Sequence, residues 1–189
     1  MVWLILGIVI FLGVHSIRMV APQWREKQIA ARGEKGWKGP YALGVFVGLA
    51  LIIWGFIQAR PEAMFIYEPP TFVKHITLTL MWFSFVALAA SSTPAGKIKA
   101  ALKHPMLVGV KIWAFAHLLA NGDLASLILF SSFLAWSVWN RIAVKRRGDP
   151  IPVAGPVSND VKAVVGGSVL YLLFVFFLHE WLIGVAPIT

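Results

Sequence analysis

The sequence predicts an all-α fold, a polytopic membrane bundle of about six transmembrane helices, and three observations support this prediction. Of the 189 residues, 59% are hydrophobic and only 13% are charged, with a mean hydropathy of +0.78. An ordinary soluble domain carries roughly 25% charged residues. Apolar runs near the length of about 20 residues that crosses a bilayer recur along the chain. Nine tryptophans also suit a membrane protein, because tryptophan gathers at the bilayer interfaces.

Each predicted span is bounded by a local signal. The first starts at the initiator Met without the basic segment of a cleavable signal peptide, so we expect a retained helix. Pro40 opens the second span, the turn Glu68-Pro69-Pro70 precedes the third, and the fourth begins near Pro105, which suits a first helical turn. The six predicted spans are about 1–20, 41–59, 72–91, 105 to the turn at 121–123, 124–142 and 164–184. An irregular loop at 148–156 separates the last two, and residues 1–189 are predicted to form a single transmembrane domain.

The distribution of lysine and arginine predicts the orientation of these spans. Fifteen of the 17 basic residues lie in or beside the first, third and fifth connections, whereas the second holds Arg60 and Lys74. Basic connections favour the cytoplasmic side, so both termini are predicted to lie outside. The basic segments are short and lack interleaved aromatic residues, which argues against nucleic-acid binding despite the net charge of +9. Their partner is predicted to be the lipid bilayer.

Two histidines inside the predicted spans are the candidate functional residues. A charged side chain within a span costs about 2.5–3.5 kcal/mol on insertion scales, so ionisable groups there usually face protein and have a function. His15 lies near the end of the first span, and His117 lies well inside the fourth. Neutral imidazole binds iron, zinc or copper, and the chain has no cysteine. His15 and His117 are therefore candidate metal ligands, and Arg18 shares the helix face of His15.

The other three histidines have simpler interpretations. His75, His104 and His179 lie near the ends of spans, where hydration or a backbone hydrogen bond accounts for each. For His15 itself, snorkelling of Arg18 to the interface is a structural alternative. A set made of His75, His117 and His179 is also open, because these residues lie at similar nominal depths. Catalytic motifs of soluble enzymes and paired carboxylates are not found in the sequence.

Two motifs give the chain a resemblance to a known family. The sequence resembles the NnrU family, a family of small multi-helix membrane domains, over nearly its whole length. The first motif is Val14-His15-Ser16 with Arg18, and the second is centred on the fourth span. The second comprises Lys103-His104-Pro105, Leu107, Gly109, Trp113-Ala114, His117 and Ala120-Asn121-Gly122-Asp123, with Ser92-Thr93-Pro94 and Ile98-Lys99 upstream.

The resemblance implies a cofactor and a location. Bacterial members of the family are associated with nitrite and nitric oxide metabolism, which implies a multi-pass protein of the bacterial inner membrane. The related 15-cis-zeta-carotene isomerases carry haem b, and their haem ligands fall on His15 and His117 here. Arg18 is then a candidate partner for a haem propionate, with Lys103 or Lys111 as further candidates. The isomerases carry a cysteine three residues before the second ligand, where this sequence has Ala114.

Three functional hypotheses follow. The first is a haem-b-binding accessory or redox-sensing protein of denitrification, with a membrane redox partner and no turnover of its own. The second is a haem-dependent cis–trans isomerase of a lipophilic polyene such as zeta-carotene. The third, a small transporter, has little support, because the sequence shows neither an internal repeat nor paired broken helices.

Overall fold

The structure, a computed structural model, describes residues 1–188 and confirms the predicted all-helical membrane protein. The α-helices are α1 (Val2–Val20), α2 (Pro22–Ala59), α3 (Phe72–Ser92), α4 (Lys97–Leu102), α5 (Pro105–Ala120), α6 (Leu124–Arg147), α7 (Val157–Leu173) and α8 (His179–Ile183). A 3₁₀ turn at Arg60–Glu62 follows α2, and a π-helical segment at Phe174–Leu178 joins α7 to α8. Thr189, the last residue of the predicted domain, lies outside the described residues.

Five helical segments of the described chain are long and apolar enough to cross a membrane. They are Val2–Val20, Pro22–Glu62, Phe72–Ser92, Leu124–Arg147 and Val157–Ile183. They correspond to five of the six predicted spans. The remaining one, α5, is apolar but has only 16 residues, below the usual range of about 17–25 for a spanning helix. The orientation with both termini outside stays a prediction.

The chain divides into two compact units, Met1–Met64 and Phe65–Thr189. The first unit contains α1 and α2, and the second contains α3 to α8. His15 and Arg18 belong to the first unit and His117 to the second, so the surroundings of each are described within its own unit. The prediction of a single domain over residues 1–189 stays a prediction.

In the first unit α1 and α2 form a hairpin whose backbones approach closely at glycines. A Cβ atom added at Gly7 would lie 2.6 Å from the Ile52 nitrogen, and one added at Gly48 would lie 2.8 Å from the Phe11 nitrogen. Gly55 meets the backbone at Leu4 in the same way. Small residues allow this close approach, which provides the van der Waals packing that associates helices in a membrane.

The predicted loop before the second span is helical instead. The helix α2 begins at Pro22, within the first turn where a proline is tolerated, and Pro40 lies inside it. The interruption falls at Gly33, whose φ of 73° and ψ of 167° are readily adopted only by glycine. The rings of Trp24 and Trp37 lie 5.6 Å apart, whereas 13 residues of straight helix would separate them by about 20 Å. The chain therefore folds back at Gly33.

In the second unit α3 packs against both α5 and α7, and α5 also packs against α6. Small residues again permit close contact: a Cβ atom at Gly167 on α7 would lie 2.7 Å from the Val86 Cα atom on α3. The buried Ser84 hydroxyl on α3 donates to the Gly109 carbonyl on α5 at 2.8 Å. Such interhelical bonds satisfy polar groups that would otherwise face apolar surroundings. They fix the position of α5, the helix that carries His117.

Candidate functional site

His15 lies on α1 with its ring held by its own helix. Its Nδ1 atom lies 2.7 Å from the Phe11 carbonyl oxygen, one turn earlier. Because a carbonyl oxygen only accepts, Nδ1 carries the proton, and in the neutral ring Nε2 carries the lone pair. The Phe11 ring lies 4.4 Å from the half-buried imidazole, and the Tyr41 ring of α2 lies edge-on at 5.8 Å. The hydrogen bond to Phe11 and the contacts with the Phe11 and Tyr41 rings therefore orient the imidazole.

His117 on α5 repeats this arrangement in the second unit. Its Nδ1 atom lies 2.9 Å from the Trp113 carbonyl oxygen, again one turn earlier. The Trp113 ring lies 5.4 Å away, and the Phe130 ring of α6 stacks on the imidazole at 4.5 Å with an interplanar angle of 28°. In its neutral form this ring also carries the proton on Nδ1 and the lone pair on Nε2.

The local sequence accounts for both arrangements. In each helix an aromatic residue precedes the histidine by four positions, so the two rings lie on one face. On α5 the neighbours Ala114 and Ala116 are fully buried, with 0% exposure. These small side chains let α5 pack closely while the larger rings of Trp113 and His117 occupy the adjoining face.

The structure places a further histidine next to His117. The His179 ring on α8 lies 6.3 Å from the His117 ring, with an interplanar angle of 15°, and its Nδ1 atom lies 2.7 Å from the Val185 carbonyl oxygen. A backbone hydrogen bond, one of the two interpretations given for His179, is thus present. His117 and His179 both belong to the alternative set of His75, His117 and His179, and their rings lie next to each other. The π-helical segment immediately before His179 changes the helical register, and this change has no signal in the sequence.

Apart from Lys111, the remaining candidates lie at helix ends or on exposed surfaces. Arg18 is exposed in the last turn of α1, three residues after His15. Lys103 is exposed at the end of α4, and Lys111 is half-buried on α5. His75 is exposed on α3, and His104 is half-buried immediately before α5. The structure thus leaves Arg18 accessible at the same end of α1 as His15.

The turn after His117 is fixed by its polar residues. The Asn121 side-chain amide donates to the His117 carbonyl at 2.9 Å. Asp123, only 2% exposed, caps α6 by accepting from the backbone nitrogen of Ser126 at 2.9 Å and from its hydroxyl at 2.7 Å. The carbonyl of Gly122 accepts from the Ile66 nitrogen at 2.8 Å. The motif Asn121-Gly122-Asp123 therefore has a structural function, which is to hold the end of α5.

Tyr67 closes this turn from the neighbouring loop. Its hydroxyl donates to the Asn121 carbonyl at 3.0 Å and also contacts the Leu118 carbonyl. Burial raises the pKa of Tyr67, and the negative charge of Asp123 raises it further, so the phenol keeps the proton that it donates. Gly122 lies against the Tyr67 carbonyl so closely that a side chain there would collide with it.

The upstream motif is also structural. The Asp160 carboxylate of α7 accepts from the backbone nitrogens of Lys97 at 2.9 Å and Ile98 at 2.8 Å, which caps α4. The Lys99 ammonium donates to the Ser91 carbonyl at 2.8 Å and the Thr93 carbonyl at 2.7 Å. These contacts connect α3, α4 and α7.

The donor chemistry fits a haem better than a bare metal ion. Within residues 1–188 no group of three or more histidine, cysteine, aspartate or glutamate residues could hold a metal ion. A haem requires less, because the porphyrin supplies four nitrogens and the protein supplies one or two axial ligands. A neutral imidazole whose Nδ1 donates to a carbonyl is the usual form of such a ligand. His15 and His117 have this form, and so does His179.

The comparisons with known proteins identify the family. A search of curated proteins and a search of solved structures each return no match. The family model described as NnrU protein matches residues 3–187, nearly the whole chain. The chain belongs to the NnrU family.

Proposed function

We propose that this multi-pass membrane protein binds haem b, which His15 and His117 would hold, and acts as an accessory or redox protein of nitrite and nitric oxide metabolism in a bacterial inner membrane. One observation carries the proposal. The Nδ1 atom of each histidine contacts the carbonyl oxygen of the aromatic residue one turn earlier, at 2.7 Å for His15 and 2.9 Å for His117.

These hydrogen bonds have a chemical consequence for a ligand. A backbone carbonyl that accepts from Nδ1 fixes the tautomer and the ring orientation and increases the basicity of Nε2. The surrounding rings of Phe11 and Tyr41, and of Trp113 and Phe130, restrict each imidazole further. Haem b, when bound, supplies a one-electron redox centre whose potential depends on such axial ligands and their hydrogen bonds. Arg18, exposed near the end of α1, is the candidate partner for a propionate, because a guanidinium forms charge-assisted hydrogen bonds with a carboxylate.

The position that carries a cysteine in the isomerases supports the accessory or redox role over the alternative of a polyene isomerase. Ala114 occupies this position and is fully buried at 0% exposure. Its methyl group is not a ligand, and no thiol occurs anywhere in the chain. An exchange between thiolate and imidazole ligands is therefore not available to this protein.

The test of haem binding is a reduced-minus-oxidised absorption spectrum of the full chain, expressed with ample haem and purified in detergent. We expect a b-type spectrum in the wild type and its loss or shift in His15→Ala and His117→Ala. His75→Ala is the matched control, because it removes an exposed histidine from another membrane helix, and its spectrum should not change. Added imidazole should restore the spectrum of each ligand variant, which separates loss of a ligand from misfolding.

Other outcomes would contradict the proposal in distinct ways. A colourless wild type would overturn haem binding altogether. A spectrum retained in His15→Ala but lost in both His117→Ala and His179→Ala would contradict His15 as a ligand. The second ligand would then be His179, whose ring lies 6.3 Å from that of His117. Isomerisation of a polyene by the reconstituted protein would overturn the accessory role and support the enzyme.

A further inference from the structure

Residues 22–39, here called the elbow, form a folded structure between α1 and the apolar part of α2. The elbow begins two residues after the end of α1 at Val20, so it starts at the boundary of the first predicted span. At Gly33 the chain folds back, and the Trp24 ring meets the Trp37 ring at 5.6 Å. The Arg25 guanidinium lies 5.9 Å above the Trp37 ring, a cation–π contact that holds the same fold.

The elbow is basic and mostly exposed. It contains five basic and two acidic residues, a net charge of +3, and it has no buried residue. One of the acidic residues, Glu34, pairs with Lys38 at 2.7 Å. Lys27, Arg32 and Lys35 are exposed along the remaining length.

We propose that the elbow lies on the membrane surface and binds the headgroups of anionic phospholipids. Three features of the elbow support anionic phospholipids as its binding partner. The positive charge complements anionic headgroups, which attract basic segments near the membrane surface. Tryptophan is enriched at the level of the headgroups, and Trp24 is 50% exposed. The position of the elbow directly after α1 places these groups beside the bilayer. The proposal does not depend on haem binding.

The experiment is hydrogen–deuterium exchange of the full chain in nanodiscs, with the backbone amides of residues 22–32 as the readout. One set of nanodiscs contains phosphatidylcholine alone and the other contains phosphatidylcholine mixed with phosphatidylglycerol. We expect exchange in the elbow to be roughly tenfold slower with the anionic lipid, because headgroup binding opposes local opening of this exposed helix. Raising the salt concentration should remove the difference, since exposed charges are screened.

A pair of triple variants makes the test specific. Lys27→Gln/Arg32→Gln/Lys35→Gln should abolish the lipid dependence, because it removes three exposed charges from the elbow. The control, Lys145→Gln/Arg146→Gln/Lys162→Gln, removes three exposed charges outside the elbow, and exchange in the elbow should still depend on the lipid. Equal exchange of the wild-type elbow in the two lipids would overturn the proposal. So would a lipid dependence that survives the elbow variant.

Discussion

Within the first unit His15 lies on a helix that packs against α2, whereas within the second unit His117 lies on a helix that packs against α3 and α6. The hydrogen bond that orients each ring is the same, from Nδ1 to a carbonyl one turn earlier. The surroundings differ. The Phe130 ring stacks on His117 at 4.5 Å, whereas Tyr41 meets His15 edge-on at 5.8 Å. Residues on the same helix are thus sufficient to orient an imidazole by a hydrogen bond. The rings that pack against each imidazole from another helix, Tyr41 and Phe130, come from distant parts of the chain.

The largest expected difference between the two regions concerns the ring beside each histidine. Phe130 is 5% exposed and also contacts Trp113, whereas Tyr41 is half-buried. We expect Phe130→Ala to destabilise the protein by about 3 kcal/mol, the lower end of the range for losing a buried aromatic ring. The lower end applies because lipid or detergent solvates the apolar groups that unfolding exposes, so their burial contributes less than in water. Tyr41→Ala should cost about 1 kcal/mol. Thermal unfolding in detergent measures both, and equal effects would show that the two histidines are equally supported.

A second comparison concerns the packing of the hairpin itself. A Cβ atom at Gly55 would collide with the backbone at Leu4, whereas one at Gly13 of α1 has no neighbour within 4 Å. We expect Gly55→Ala to cost about 2 kcal/mol through overpacking. Gly13→Ala should be neutral or slightly stabilising, because alanine favours a helix. Thermal unfolding is again the measurement. A neutral Gly55→Ala variant would contradict the close contact of α1 with α2.

The smallest expected effect concerns the end of α5. Tyr67→Phe removes the hydroxyl that donates to the Asn121 carbonyl and contacts the Leu118 carbonyl. Since the net value of such a bond is about 1 kcal/mol, we expect a loss of that size. Tyr171→Phe is the control, because the Tyr171 ring contacts Phe85 and the substitution keeps that ring. If both variants unfold at the same temperature, the Tyr67 loop does not support the helix of His117.

The features that could be predicted from sequence are those set by nearby residues. Apolar runs predicted the five long helical segments, and the spacing of Trp113 and His117 on one helix face is likewise local. The fold-back at Gly33 was missed, because Pro40 has the residue type of a helix start but lies inside α2. Similar nominal depth placed His179 in an alternative set with His117, but the direct contact of their rings depends on a π-helical segment and on how α8 meets α5, which helical periodicity does not encode.

The length of α5 has a consequence for the surrounding lipid. Sixteen residues rise about 24 Å, against about 30 Å of hydrocarbon. If α5 crosses the bilayer, this hydrophobic mismatch must be met by thinning of the adjacent bilayer or by protein that covers the missing turn. Irregular backbone at membrane depth is tolerated only where its polar groups are satisfied. The segment at Phe65–Tyr67 provides such cover by donating to the Gly122 carbonyl and bridging to Asp123.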